Sequence, residues 1–191
     1  HNGVSAAIVD QLRDRQLDLG ITASPDERLR DLQDRPLLRD PFVVVLRVGE
    51  DHALRDVVEG RSPLPFLRFA GNLMISRQIE GQLKRLRWAT SHRFECSNNQ
   101  TLMAMVAAGA GWTITTPLLF ARARRFRSQL RMHPFPGKSF ARTLSLLATP
   151  DCADPIVDMV DARVRKLICE HAITPMLAST PWLADRFVLL K

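Results

Sequence analysis

Several common features are missing from these 191 residues, and each absence removes a class of function. No apolar run approaches the roughly 18 to 20 residues of a membrane span, so a soluble chain is expected. The opening HNGVSAAIVD has neither the basic stretch nor the apolar core of a secretory leader, although a cleaved mature protein would look the same. There is no P-loop. Gly109-Ala110-Gly111 is no dinucleotide fingerprint, because it follows an expected helix and precedes an expected strand, the reverse of the required order. Helix termination explains it. No serine sits in a nucleophile elbow, and no acid pair marks a hydrolase. His1, His52, His92, His133 and His171 are scattered; His92 and Cys96 are four apart, with no second pair to complete a metal site. No catalysis, cofactor or metal is expected. Cysteine is sparse as well. Cys96, Cys152 and Cys169 are odd in number and widely spaced, which suggests buried reduced thiols in a cytoplasmic protein and no disulfide framework. Repeats and low-complexity tracts are absent.

What remains has ordinary globular proportions, 46% hydrophobic and 25% charged, and a length for one large or two small domains. Lysine is scarce, 4 against 23 arginines, and the net charge is +7. A basic balance suggests nucleic acid first. Its distribution suggests otherwise. Residues 71–142 carry 12 Lys or Arg against Glu80 and Glu95, a charge of +10, while the flanks carry 15 basic and 18 acidic residues, or −3. A continuous basic centre between flanks of another character predicts two lobes, one central and one built from both chain ends.

Periodicity fills in the elements. Gly3 to Gln16 reads as a helix with Ile8, Val9 and Leu12 on one face, and Leu17 to Thr22 as a short buried strand. Arg35 to Arg39 and Phe42 to Val48 read as strands; the apolar run Phe42 to Leu46 suits a strand covered on both faces. Phe66 to Ala70 is another strand. Ser76 to Trp88 is a helix with Arg77, Lys84, Arg85 and Arg87 on its outer face. A strand at Arg93 to Cys96 leads to a helix at Asn99 to Ala108, stopped by Gly109. Trp112 to Thr115 is a strand, and Pro117 opens a helix that ends in the run Arg122 to Arg127. That run reads first as a solvated face. Leu130 to Pro134 and Ala141 to Ala148 are strands. Asp154-Pro155 starts a helix whose apolar face is Ile156, Val160, Val164, Leu167 and Ile168. From Ile173 onward the pattern gives no assignment. Alternating strands and helices predict an α/β chain with mostly parallel sheets, and Phe66 to Ala70 and Thr143 to Ala148 are the expected crossovers between lobes.

Three segments carry a family resemblance. GVSAAIVDQLRDRQLDLGIT, RPLLRDPFVVVLRVGEDHAL and ECSNNQTLMAMVAAGAGWTITTP occur in the order and spacing seen in LysR-type transcriptional regulators. Together they cover about residues 3 to 150, in a region that resembles the family's effector-binding domain. The resemblance implies two Rossmann-like α/β lobes joined by two crossover strands, similar to a type 2 periplasmic binding protein. Lobe I is expected to comprise residues 1–68 and 145–191, lobe II residues 69–144. The family's first strand and helix of lobe I, and its winged helix-turn-helix with linker helix, are not among these residues. The tail after Glu170 matches nothing in the family pattern.

The same resemblance implies a small-molecule effector bound between the lobes, and the basic centre suits an anion such as a carboxylate. Ser5 would cap the first helix and touch it. Ser97, Asn98, Asn99, Gln100 and Thr101 precede a helix whose free N–H groups suit an anion, with plain capping as the alternative. Thr22 and Ala23 follow a strand at a lobe rim; Phe69 would line the floor; Thr115 and Thr116, just before Pro117, would face the cleft. The expected effector contacts are Ser5, Thr22, Ala23, Phe69, Ser97, Asn98, Asn99, Thr101 and Thr116. The family also implies a homodimer or homotetramer that meets promoter DNA only through the winged helix-turn-helix. A periplasmic-type solute-binding protein shares the fold and is the alternative reading; a small enzyme using the same cleft is a third.

Overall fold

The sequence folds around two separate sets of apolar strands, seen in a computed structural model that describes residues 5–23, 31–50, 52–88, 92–137 and 140–191. In chain order the elements are α1 (Ser5–Arg13), β1 (Leu19–Ala23), β2 (Gln33–Pro41), β3 (Val43–Arg47), α2 (Leu54–Val58), β4 (Phe66–Phe69), α3 (Met74–Leu86), β5 (His92–Cys96), α4 (Asn99–Ala107), β6 (Thr113–Thr115), α5 (Pro117–Arg122), β7 (Leu130–Pro134), β8 (Ala141–Ala148), α6 (Asp154–Ile168), α7 (Thr174–Ser179) and β9 (Val188–Leu189). They form two compact units. One joins His1–Pro41 to Ala141–Lys191; the other is the continuous Phe42–Phe140.

In the two-ended unit the sheet order is β1-β8-β2-β9. Every pairing in it is antiparallel, because β8 runs back between β1 and β2. Val9 and Leu12 of α1 pack on Leu147 of β8, with Ile8, Leu17 and Leu32 around them. Gly20 makes this possible: a Cβ there would meet Ile8 Cγ2 at 2.6 Å. Asp40, fully buried, lies directly across from Arg142, whose Nε and Nη2 donate to its Oδ2 at 2.9 and 2.8 Å.

The tail that the sequence pattern leaves unassigned belongs to this unit. A π-helical turn, Cys169–Ile173, continues α6 into α7. Leu183 and Phe187 are completely buried, and β9 adds to the edge of β2. Arg165 ties the end down. Its Nε donates to Asp161 at 2.6 Å, its Nη2 to the Pro36 carbonyl at 2.8 Å and its Nη1 to the Leu190 carbonyl. The expected apolar face of α6 is corrected: Val157 is its buried residue, while Ile156 and Leu167 are exposed.

The central unit holds a three-stranded antiparallel sheet, β6-β3-β7, and the parallel pair β4-β5. β3 is flanked on both edges, and Val43 to Leu46 are all buried, as the continuous apolar run predicts. The expectation of mostly parallel sheets is overturned, since β4-β5 and the single bridge between Phe66 and Trp112 are the parallel pairings among the described residues. The expected crossovers also shift. The chain leaves the first unit at Pro41/Phe42 and returns at Phe140/Ala141. Residues 42–68 therefore lie in the central unit, and β4 is internal to it. The boundary is marked by Pro41 and by the Phe42 and Phe140 rings, stacked at 4.2 Å. A strand run of five apolar residues reads the same in either unit, so apolarity alone could not locate the passage.

Of the thiols, only Cys96 is buried; Cys152 is half-buried and Cys169 exposed. Among the described residues no helix is long and apolar enough to cross a membrane, and no cluster of His, Cys, Asp and Glu could hold a metal ion.

Candidate functional site

The two units are taken separately. In the two-ended unit, α1 begins at Ser5, whose side chain lies outside the described set. Thr22 and Ala23 end β1, both buried. The Thr22 hydroxyl donates a long 3.4 Å bond to the Ala23 carbonyl. Across the strand pair Thr22 faces Ser145, also buried.

In the central unit, Phe69 is buried in β4, where it pairs with Cys96. Its carbonyl accepts from the buried Ser76 hydroxyl at 2.8 Å. It is a packed strand residue within one unit and not a crossover residue. The loop from β5 to α4 carries Ser97 and Asn98, both exposed. Asn98 is the N-cap of α4; its Oδ1 accepts from Gln100 N at 2.7 Å and Thr101 N at 3.4 Å. This cap satisfies two of the N–H groups at the helix start, so less of that end is open to an anion than the sequence suggests. Thr101 is exposed.

Asn99 has another role. Its Nδ2 donates to the Leu119 carbonyl in α5 at 2.9 Å, and Gln100 Nε2 donates to the Arg122 carbonyl at 2.6 Å. Thr116, completely buried, caps the same short helix from the other end, accepting from Leu119 N at 3.5 Å. Leu119 is thus held through its carbonyl by Asn99 and through its N–H by Thr116. That brings Asn98, Asn99 and Thr116 to one place, where α4 and α5 begin.

Asn99 Oδ1 and the hydroxyl of Thr115, a residue of β6 with no exposed surface, are buried without a partner, as are atoms of Arg68, Gln78 and Asp161 elsewhere in the chain. An unpartnered buried polar atom costs about 1–3 kcal/mol, and a bound ligand is one way to supply the missing bond. Thr115 is one of the two threonines that the sequence offers as cleft-facing. Its neighbour Thr113 has the same residue type on the same strand face yet donates to the Leu67 carbonyl at 2.7 Å. Residue type could not separate the two threonines. Behind the loop, Cys96 Sγ lies 3.5 Å from Met105 Sδ, and burial pushes its thiol pKa up. That disfavours the thiolate and with it redox reactivity.

No curated protein matches the chain at a significant level. Solved structures do match. The regulatory domain of a mutant OxyR2 from Vibrio vulnificus aligns with a TM-score of 0.73 at 19% identity, over 86% of this chain and 78% of that one. A mutant OxyR from Corynebacterium glutamicum with hydrogen peroxide bound aligns with a TM-score of 0.73 at 19% identity, over 94% of this chain and 57% of that one. The effector-binding domain of QuiR in complex with shikimate gives 0.62 at 15%, over 79% of this chain and 71% of that one. At these identities the likeness is one of fold. The profile of the LysR substrate binding domain matches residues 1–159, so the chain belongs to the family of LysR substrate-binding domains, the non-enzymatic effector-binding regulatory domains of LysR-type transcriptional regulators.

Proposed function

We propose that the effector is a small anion carrying hydroxyl groups, and that Asn99 and Thr115 take part in binding it. The carrying observation is that two polar atoms of the central unit, Asn99 Oδ1 at the first turn of α4 and Thr115 Oγ1 in β6, are buried without a partner. An amide oxygen whose own NH2 is committed to Leu119 accepts a hydrogen bond, so it favours a ligand hydroxyl. The anionic character is supported by the central unit's charge, 15 basic against six acidic residues over 42–140, or +9. Ser97, Asn98, Thr101 and Thr116 are the neighbouring contacts; Ser5, Thr22, Ala23 and Phe69 are carried by the family resemblance. The QuiR domain holds a hydroxylated carboxylic acid of this type. A peroxide-sensing reading is less well supported, because Cys96 is buried with a raised pKa.

Effector binding would favour one arrangement of a homodimer or homotetramer and so alter transcription in the cytoplasm. Promoter recognition is assigned to a winged helix-turn-helix outside these residues. The test is a thermal-shift screen of small hydroxylated carboxylates, shikimate among them. Saturating ligand at about 100 times Kd stabilises by about 2.7 kcal/mol. Thr115→Val keeps the shape and removes the unpartnered hydroxyl. The free protein is expected to melt no lower, and the ligand-induced shift to vanish. A full shift in both Thr115→Val and Asn99→Ala would reject the site.

A further inference from the structure

Exposed cations without an ion-pair partner among the described residues stand in two places in the central unit, along α3 (Arg77, Lys84, Arg85, then Arg87) and in the segment after α5. Four of the unit's described acids pair with three arginines. Asp56 and Glu59 pair with Arg61, Glu59 also with Arg55, and Glu80 and Glu95 with Arg68. Glu50 lies 3.9 Å from His52. After α5 the chain tightens into a 3-10 turn, Arg124–Gln129, seated against α4, α5 and β7. Arg122, Arg124 and Arg125 project from this segment into solvent, and Arg131 follows at the start of β7, also exposed. None of these four has an ion-pair partner among the described residues. The turn rises about 2 Å per residue, so the first three guanidinium stems leave the backbone within about 6 Å.

We propose that this arginine ridge is a sequence-independent contact for the phosphate backbone of double-stranded DNA. Arginine forks suit phosphate oxygens, and unpaired cations facing solvent release counterions when they meet a polyanion. A protein partner fits less well. Protein interfaces are anchored by exposed apolar side chains at their centre, and no large apolar side chain from 117 to 131 is exposed. The ridge adds affinity without reading bases, so promoter choice is untouched by it.

The experiment is fluorescence anisotropy of the 191-residue chain with a labelled mixed-sequence duplex, titrated between about 50 and about 200 mM salt. Three freed phosphate contacts predict a slope of log K against log salt near −2.7, at about 0.9 per contact. The triple variant R122Q/R124Q/R125Q is expected to lose about tenfold in affinity and most of the slope. The Lys version of the same three positions should keep the slope. R77Q/K84Q/R85Q removes equal charge from exposed positions on α3 and should change affinity less than about twofold. Thermal melts confirm that the variants fold. Equal loss in both Gln triples would overturn the ridge in favour of diffuse charge. No binding at the lowest salt would overturn it outright, and tighter binding to polyglutamate than to DNA would reassign it to an acidic protein.

Discussion

Asp40 is the most exacting single position in the two-ended unit. It has no exposed surface, and Arg142 is its cross-strand partner. Removing one member of a buried pair leaves the other charged and desolvated, at about 3–5 kcal/mol, whereas replacing both by apolar residues is often neutral. Asp40→Ala is therefore expected to lower the urea midpoint sharply, and Asp40→Leu with Arg142→Met to recover most of the loss. A single variant as stable as the parent would show that the pair holds nothing. His133 makes a quieter prediction. It sits half-buried in β7, where burial first and the Arg131 cation second push its pKa down. The folded value then lies below the unfolded one of about 6.5. Its contribution is complete above about 6.5 and is lost as pH falls through the folded value, because the unfolded chain binds the proton first. Urea midpoints measured from neutral toward acid pH should fall, and His133→Gln should flatten that fall.

Elements show where sequence pattern suffices and where it fails. The α4 start, its Asn98 cap and its Gly109 stop are legible because each depends on a few neighbouring residues. Gly109 has φ +79°, the left-handed stop that its position predicts. Gly111 looks equivalent in sequence and is not. A Cβ there would lie 2.2 Å from the Pro65 carbonyl oxygen, because Trp112 N donates to that oxygen at 3.1 Å and Leu67 N donates to the Trp112 carbonyl at 2.8 Å. The close approach is made by a strand almost fifty positions away, which local pattern does not see. Gly109→Ala should cost about 1 kcal/mol. Gly111→Ala should cost clearly more, since backbone must move, and equal melting temperatures for the two would contradict this packing. Non-local pairing also explains the other misreadings. The parallel sheets expected from alternation gave way because β8 returns between β1 and β2. The tail escaped assignment because β9 is two residues long and is held by Arg165 from α6. At the candidate site the Asn-rich loop was legible, but the unpartnered state of Thr115 depends on what surrounds its hydroxyl and not on its type.

At the scale of the whole molecule, likeness to OxyR domains raises the question of a thiol switch, and the helix between two of the cysteines answers part of it. Cys152 precedes α6 and Cys169 follows it directly. Fifteen helical residues at about 1.5 Å each hold the two ends roughly 22 Å apart. A disulfide needs Cα atoms within about 7 Å, so these two cannot join while α6 is formed. Cys96 is withdrawn by burial, and its raised pKa keeps it protonated at a pH where an exposed thiol begins to ionise. Native labelling with a maleimide should reach the exposed Cys169 first, the half-buried Cys152 more slowly, and Cys96 only as urea opens the central unit. Mild hydrogen peroxide should leave the monomer without a Cys152–Cys169 crosslink, read as the absence of the joined peptide in a non-reducing digest. Appearance of that peptide from monomer would mean that α6 melts on oxidation, and would return redox sensing as a rival to the proposed small hydroxylated acid.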